Sequence, residues 1–319
     1  MSRFFLLLLI LSIIIFINTQ SNDNTFKPVI GIYGNSNPEN NDTYINGTYY
    51  PLSYIYWLES AGAEVMAIHY WYPNDVIDEI LNKVNGVLFL GGGRDIHKDG
   101  IWEIKAKYIM DQALLIGLPI WGTCQGFQLM GVIMSGNYSL LKNGFTDADV
   151  PHGLEITENA KSSKMFKLFS EKDYDILQYR NSTLYNHQLG FYPEEFYKEE
   201  RLNELFKVTS ISEDTKGLKF IDSFEGKYGN IKFFAVQFHP EKNPFKRYGY
   251  SVEQSIDSLL VSQKLAMNFI DETRKNQNRF ESSANDEGDR AQFDFFNTYQ
   301  GTPNANLNND IYYFSKKEE

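Results

Sequence analysis

Short apolar runs alternate with segments of helical periodicity between residues 27 and 134, and this alternation restricts the fold more than any other feature of the chain. The apolar runs predict strands at residues 28–33, 64–69, 87–90 and 119–122. The segments between and after them predict helices at residues 52–60, 75–83, 103–116 and 125–134. Because strands that alternate with helices form right-handed βαβ units, the pattern predicts a mainly parallel central sheet flanked by helices.

The second half of the chain is less regular. Residues 138–201 are rich in polar side chains and show no clear periodicity. Three apolar runs then follow closely, at residues 206–211, 218–224 and 231–238. Their short spacing predicts an antiparallel or mixed extension of the sheet. Apolar residues on one side of residues 252–274 predict a closing helix.

The amino-terminal residues are typical of a secretory signal peptide. A short segment with one positive charge precedes an almost purely apolar run at residues 4–17, and polar residues follow. This run is shorter than the roughly 20 residues of a membrane-spanning helix, so a cleaved signal at residues 1–21 is favoured over an uncleaved anchor. Four glycosylation sequons fit passage through the secretory pathway. They begin at Asn41, Asn46, Asn137 and Asn181.

Composition also predicts where the catalytic domain ends and which classes of partner are excluded. Residues 26–275 contain the alternating pattern and are predicted to form the catalytic domain, whereas residues 276–319 are polar and predict a flexible tail. Aromatic side chains within this tail could dock on the body, namely Phe293, Phe295, Phe296, Tyr312 and Tyr313.

The net charge of −11 argues against nucleic acid and anionic lipid surfaces as partners. Stable membrane insertion is not expected, because no later segment is long and apolar enough.

The single cysteine of the chain, Cys124, occupies a position typical of a nucleophile. It lies between Gly122 and Gly126, where an apolar strand enters and a helix leaves. This is the G-x-nucleophile-x-G elbow with cysteine in place of serine. The following helix supplies positive potential that favours a thiolate, and the N–H of Gln125 can donate to an oxyanion. A small buried thiol is the alternative, but a lone cysteine in an exported chain needs a stronger reason.

A histidine and a glutamate at the end of a later strand complete a predicted catalytic triad. His239, Pro240 and Glu241 follow an apolar run. Since residues i and i+2 of a strand point to one face, Glu241 is expected to accept a hydrogen bond from one ring nitrogen of His239. The other nitrogen then faces Cys124, as in the nucleophile–base–orienter arrangement. The alternative is an exposed His-Pro turn beside an unrelated glutamate.

The sequence offers further candidates for substrate-binding residues. Gly92 and Gly93, in a glycine run that follows a buried strand, are candidates for a second oxyanion donor and for close substrate approach, with a plain strand-to-loop turn as the alternative. His187 is a candidate for hydrogen-bonding the substrate, with a surface loop histidine as the alternative. The other histidines, His69, His97 and His152, show no partner pattern and are interpreted as structural or surface residues. No spacing of His, Cys, Asp and Glu resembles a metal site, and no cofactor is predicted.

Together, residues 122–126 and 239–241 resemble the class I glutamine amidotransferase-like superfamily. Within it the chain is most similar to the γ-glutamyl hydrolase (folylpolyglutamate hydrolase) family, through residues 28–32, 54–65, 85–92, 121–124 and 237–242. The resemblance implies a flavodoxin-like three-layer sandwich and a Cys-His-Glu triad at Cys124, His239 and Glu241. It also implies that His187 contacts the substrate. Gly93, Arg94 and Asp95 depart from the family pattern, so the resemblance does not fix the preference of the substrate subsites there.

The resemblance further implies a cysteine hydrolase that cleaves γ-glutamyl bonds of folylpoly-γ-glutamates or similar substrates through a thioester. Relatives of this kind are vacuolar, lysosomal or secreted glycoproteins and are often homodimers. Two alternatives stay open at this point. One is the glutaminase subunit of an amidotransferase, and the other is a catalytically silent binding protein on the same fold.

Overall fold

The computed structural model describes residues 27–36, 47–245, 251–280, 292–296 and 311–315. The predicted signal peptide and the sequons at Asn41 and Asn46 lie outside these residues.

The described residues contain strands β1 to β13, numbered in chain order. They are Val29–Tyr33, Asn35–Ser36, Gly47–Pro51, Glu64–Ile68, Gly86–Phe89, Ile120–Thr123, Lys142–His152, Glu155–Ile156, Thr183–Gly190, Phe206–Glu213, Lys219–Gly226, Phe233–Val236 and Ile311–Ser315. The α-helices α1 to α8 are Leu52–Ser60, Asn74–Leu81, Ile101–Ile116, Gln125–Ser135, Glu171–Tyr179, Pro193–Phe196, Glu200–Leu205 and Ile256–Thr273. Short 3₁₀ helices lie at Tyr138–Leu140, Glu158–Ser162 and Pro240–Lys242.

Several helix ends follow directly from local sequence. Ser170 and Asp173 form a reciprocal capping box at the start of α5, which satisfies backbone donors that have no partner within the helix. The hydroxyl of Ser255 accepts the N–H of Ser258 at the start of α8. Helix α3 ends at Gly117, whose φ of 66° is in the left-handed region that glycine adopts without strain. Local signals therefore set these boundaries before tertiary packing is considered.

The main sheet has eight strands in the order β4-β1-β5-β6-β12-β11-β10-β8. Strands β4, β1, β5, β6 and β12 pair in parallel. Strands β11, β10 and β8 extend the sheet in antiparallel pairing. The predicted fold class, a mainly parallel sheet with an antiparallel extension, is confirmed.

Helices cover both faces of this sheet and give three layers. On one face Ile77, Ile109 and Phe127, from α2, α3 and α4, belong to one buried apolar cluster. On the other face Trp57 of α1 and Phe269 of α8 belong to a second cluster. Burial on both faces explains why the parallel strands have continuous apolar runs rather than an alternating pattern.

The polar middle of the chain forms regular structure that its sequence did not predict. Strands β7 and β9 pair antiparallel as a separate ribbon, with irregular register between Asn143 and Asp147 and between Ala148 and Val150. Most of β7 is exposed or only partly buried. Because so few side chains of β7 are buried, its sequence lacks the alternating apolar pattern of a strand. Prediction from such patterns therefore interprets β7 as a loop.

Two segments of the polar tail pack on the body. Strand β13 pairs antiparallel with β3, and Phe295 bridges Met66 at the edge of the main sheet. The side chains of Phe293, Phe295, Phe296 and Phe314 are buried. Aromatic burial and backbone pairing hold these segments in place, so the prediction of a flexible tail does not describe residues 292–296 and 311–315. The docking of tail aromatics, noted from the sequence, describes these residues better.

Candidate active site

The backbone at Cys124 forms a sharp turn between β6 and α4. Its φ of 50° and ψ of −105° lie where side-chain-bearing residues are rare and strained. Flanking glycines make the turn possible. A Cβ at Gly122 would lie 2.8 Å from the carbonyl oxygen of Gly126, and a Cβ at Gly126 would lie 2.2 Å from that of Phe89. The turn therefore has the geometry of a nucleophile elbow.

Surrounding hydrogen bonds fix the elbow. The N–H of Cys124 donates to the carbonyl of Val236 in β12 over 2.8 Å, and its carbonyl accepts the N–H of Gln128 over 3.0 Å. The sulfur is buried and points toward β9, where it lies 3.9 Å from the carbonyl oxygen of Asn186. Because α4 begins at Gln125, the sulfur lies at the positive end of a helix.

His239 lies beside Cys124. Both residues border Gly91, since a Cβ there would lie 2.7 Å from Cε1 of His239 and 3.2 Å from Cβ of Cys124. Burial lowers the pKa of His239, but the charges of Glu241 and Cys124 outweigh burial and raise the pKa well above its usual value. The site therefore favours a protonated His239 ring beside Cys124.

Glu241 lies behind His239 and orients it. One carboxylate oxygen is 2.9 Å from Nδ1 of His239, and Glu241 is fully buried. Burial raises the pKa of Glu241, but the neighbouring imidazolium outweighs burial and lowers the pKa overall. The predicted backbone geometry for this contact is wrong. The sequence predicted that His239 and Glu241 lie two positions apart on one strand, but Glu241 is in the 3₁₀ helix Pro240–Lys242, beyond the end of β12.

Tyr54 of α1 completes this cluster, and its role was not visible in the sequence. Its hydroxyl accepts the N–H of Gly91 over 2.9 Å and lies 3.3 Å from Nδ1 of His239. Burial, followed by the charge of Glu241, raises its pKa well above the usual value, so the hydroxyl stays neutral. Helical periodicity marks Tyr54 only as a buried residue, and no local motif distinguishes it from core tyrosines.

The glycine run lies directly beside the sulfur. The side-chain amide of Asn35 donates to the carbonyl of Gly91 over 2.7 Å. A Cβ at Gly92 would lie 2.1 Å from that amide nitrogen, whereas a Cβ at Gly93 would meet nothing within 4 Å. Gly92 requires glycine for space, and Gly93 leaves open room for a ligand. Both residues therefore present backbone to the cavity.

A cavity of about 500 Å³ connects most of the predicted site residues. Its lining includes Cys124, His239, Gly92, Gly93, Gln125 and His187. Charged groups of both signs also line it, namely Arg94, Lys242, Asp95 and Asp147. Ile311 of the tail strand β13 forms part of the wall beside Pro51, its partner in β3.

His187 is among the residues that line this cavity. Its Nδ1–H donates to the carbonyl of Leu189 over 2.9 Å. Its Nε2 is buried, lies 3.7 Å from a carboxylate oxygen of Asp147, and has no hydrogen-bond partner among the described residues. Burial lowers the pKa of His187 to about 4, although Asp147 opposes this. The ring is therefore a neutral acceptor at ordinary pH.

The two described sequons lie away from the cavity lining. Asn181 is exposed, and Asn137 is half-buried with its side-chain amide donating to Glu199 over 3.1 Å. Among the residues whose positions are described, no group of three His, Cys, Asp or Glu side chains could hold a metal ion. The same residues contain no helix with the length and apolar character needed to cross a bilayer.

The mainly parallel three-layer sheet carries a cysteine elbow at the carboxyl end of β6 and a histidine–glutamate pair after β12. The fold is shared with the glutaminase domain of Trypanosoma brucei CTPS with bound acivicin, at a TM-score of 0.51 and 17% identity, over 79% of this chain and 95% of that chain.

Comparison with known sequences identifies the family. The peptidase C26 model matches residues 28–241, and the chain belongs to this family. It is 34% identical to Gamma-glutamyl hydrolase of Mus musculus over 74% of this chain and 75% of the relative. It is 30% identical to Gamma-glutamyl hydrolase of Homo sapiens over 83% of each chain. Gamma-glutamyl hydrolase B of Dictyostelium discoideum is 29% identical over 86% of this chain and 79% of the relative.

Proposed function

We propose that the chain is a cysteine-type γ-glutamyl hydrolase that cleaves folylpoly-γ-glutamates or similar poly-γ-glutamyl substrates. One observation carries the proposal: Cys124 lies at a strained turn and beside His239, which Glu241 holds from behind. Relatives named Gamma-glutamyl hydrolase supply the substrate class.

In the first half of the reaction the thiolate of Cys124 attacks the γ-carbonyl carbon of a glutamyl residue. The N–H groups of Gln125 and of Gly92 or Gly93 donate to the oxyanion, because these residues line the cavity around the sulfur. His239 then gives its proton to the leaving amine. The C–N bond breaks, and a thioester to Cys124 remains.

In the second half His239, now neutral, accepts a proton from water, and the resulting hydroxide attacks the thioester carbonyl. The same N–H groups stabilise the second oxyanion. The C–S bond breaks, the γ-carboxylate product leaves, and the imidazolium–thiolate pair is restored. Glu241 stabilises the imidazolium at each protonated stage, because its carboxylate oxygen lies 2.9 Å from Nδ1 of His239.

The charges of the cavity fit an anionic chain that carries one free carboxylate per residue. Arg94 and Lys242 both line the cavity and offer cationic partners for the carboxylates of the substrate. Asp95 and Asp147 add acceptors that suit an ammonium group. Carboxylate recognition by arginine is strengthened by paired hydrogen bonds.

The direct test uses the full chain with pteroyl-polyglutamate at pH 5 and pH 7, with products read by mass. Shortened species are expected, together with their loss in Cys124→Ala and His239→Ala. His97→Ala is the matched control, because His97 is exposed and outside the cavity lining. Absence of any shortened species from the wild-type chain contradicts the substrate assignment, and full turnover by Cys124→Ala contradicts the nucleophile.

The same assay separates the two alternatives. A glutaminase subunit would release ammonia from free glutamine and leave pteroyl-polyglutamate intact. A silent binding protein would retain the substrate without any product, and it would not distinguish wild type from Cys124→Ala.

The proposed location is the secretory pathway, ending in a lysosome, a vacuole or the medium, and the proposed assembly is a homodimer. The apolar run at residues 4–17 and the four sequons support this location. Expression in a eukaryotic host tests it through endoglycosidase-sensitive mass and the amino-terminal sequence of the mature chain. Light scattering of the purified protein gives the oligomeric state.

A further inference from the structure

Asp147 lies between two histidines beside the catalytic cavity. One of its carboxylate oxygens is 3.0 Å from Nε2 of His152 and 3.7 Å from Nε2 of His187. The carboxylate is fully buried, and its other oxygen accepts the N–H of Thr215 over 3.1 Å. Asp147 and His187 are register partners across the β7–β9 ribbon, so the backbone fixes their approach.

The hydrogen bonds of His152 determine its protonation. Nδ1 is 3.0 Å from the carbonyl oxygen of Gly153, and Nε2 is 3.0 Å from the carboxylate of Asp147. Both of these groups accept hydrogen bonds, although the Ser212 hydroxyl, 3.3 Å from Nδ1, can also donate to that nitrogen. Burial lowers the pKa of His152, but the hydrogen bonds to Asp147 and Gly153 outweigh burial and raise the pKa overall, which favours the imidazolium. The ring also stacks on Tyr185 at 3.9 Å and 4°, an arrangement that suits a cation.

The hydrogen bonds of His187, in contrast, fit a neutral ring. Because its Nδ1–H donates to the carbonyl of Leu189, the neutral ring carries its lone pair on Nε2. That nitrogen is buried and has no partner within the described part of the chain, and His187 itself lines the cavity. An N–H group of a bound substrate is the complementary partner for such an acceptor.

The two rings are linked through the carboxylate between them. An unpaired carboxylate this close to an imidazole favours the protonated ring and raises its pKa by one to three units. We propose that His152 is a positioning residue for hydrolysis: its positive charge offsets that of Asp147 and so preserves the neutral state that burial imposes on His187, which can then accept a hydrogen bond from the substrate. This inference rests on the proposed function for its substrate, but not for its electrostatics.

Other charged groups influence the protonation of His152 and His187, so the test variants must leave them unchanged. His239, which follows β12, opposes protonation of His187. Glu241 and Lys242 lie in the 3₁₀ helix that packs against β9. Asp222 of β11 acts on His152 and favours its positive charge. None of these four is changed by the variants below.

The kinetic test compares wild type, His152→Gln, Asp147→Asn and the double variant in the hydrolysis of pteroyl-polyglutamate between pH 4 and 8. In His152→Gln the acid limb of kcat/KM is expected to move up by about 1 to 2 pH units. It should return to the wild-type position in the double variant, which has no carboxylate to charge His187. Asp147→Asn alone should produce no upward shift.

A direct measurement keeps the inference testable without turnover. Selective ¹⁵N labelling of the five histidines, with His187→Gln for assignment, reads the protonation of each ring in the whole protein. His187 is expected to stay neutral above about pH 5 in wild type and to become an imidazolium near pH 6 in His152→Gln.

Failure of the inference and failure of the proposed function give different results. If wild type does not cleave the substrate but the His187 resonance shifts as described, the substrate assignment fails and the electrostatic link stands. If His152→Gln folds, as judged by its melting temperature, yet leaves both the acid limb and the His187 titration unchanged, the inference is overturned. Should His152→Gln not fold, an unchanged His152 titration in Asp147→Asn overturns it equally.

Discussion

Replacing Glu241 by glutamine removes one charge from the centre of the proposed triad with little change in shape. The carboxylate oxygen is 2.9 Å from Nδ1 of His239, and Glu241 is fully buried. Unit charges about 4 Å apart interact by about 4 kcal/mol at an effective dielectric constant of 20. Since one pKa unit corresponds to about 1.4 kcal/mol, the pKa of His239 should fall by about 2 to 3 units in Glu241→Gln.

The consequence can be measured at the sulfur, because the chain has one cysteine and any alkylation reports on Cys124 alone. With the pKa of His239 lowered from about 10 to about 7 to 8, the imidazolium is lost above that pH, and with it the cation that stabilises the thiolate. Alkylation by iodoacetamide at pH 8 is therefore expected to slow by about two- to tenfold. By the logic of catalytic triads, kcat should fall by about 10² to 10⁴.

Glu79→Gln is the matched control, because Glu79 is exposed and pairs with Lys83 on the surface of α2. It should alkylate and hydrolyse at wild-type rates. The reasoning is refuted if Glu241→Gln, folded with a cooperative melting transition, matches the wild-type alkylation rate and kcat at every pH from 5 to 8.

Three further outcomes are expected. Tyr54→Phe leaves the N–H of Gly91 buried without its acceptor and should cost about 1 to 3 kcal/mol of stability, measured by urea unfolding, together with a loss of kcat. Gly126→Ala places a Cβ 2.2 Å from the carbonyl oxygen of Phe89 and should cost about 3 kcal/mol or more, seen as a large fall in Tm; a wild-type Tm would contradict the crowding argument. Burial raises the pKa of Asp222 from 3.8 to about 6, so the folded chain binds more protons than the unfolded chain between these values, and the free energy of unfolding should rise by up to about 3 kcal/mol as pH falls through 6 toward 4. Asp222→Asn should lack this particular rise, and an identical pH dependence in both proteins would show that Asp222 is not its source.

The parts of the fold that the sequence predicts are those with local physical causes. Apolar strand runs and helical periodicity located the parallel strands, because burial on both faces of a sheet demands such runs. The elbow at Cys124 was predictable because a tight turn needs glycine on both sides, and both glycines are close in sequence.

The remaining parts depend on distant residues or on polar strands. Tyr54 reaches His239 across 185 positions of sequence, and no local pattern marks that contact. His152 was interpreted as a structural or surface residue, because its connection to the site passes through Asp147 and the irregular register of β7 and β9. A strand rule anticipated the contact between His239 and Glu241 for the wrong reason, since Pro240 begins a 3₁₀ helix there.

The docked tail has a consequence for where the folding unit ends. The family match stops at residue 241, yet Phe269 of α8 packs 5.7 Å from Trp121, and β13 supplies Ile311 to the wall of the cavity. A chain truncated after the triad would expose an unpaired β3 edge and an uncovered aromatic surface, both of which promote aggregation. Recombinant work on this chain should therefore retain every residue through β13, well beyond residue 241, where the family match stops.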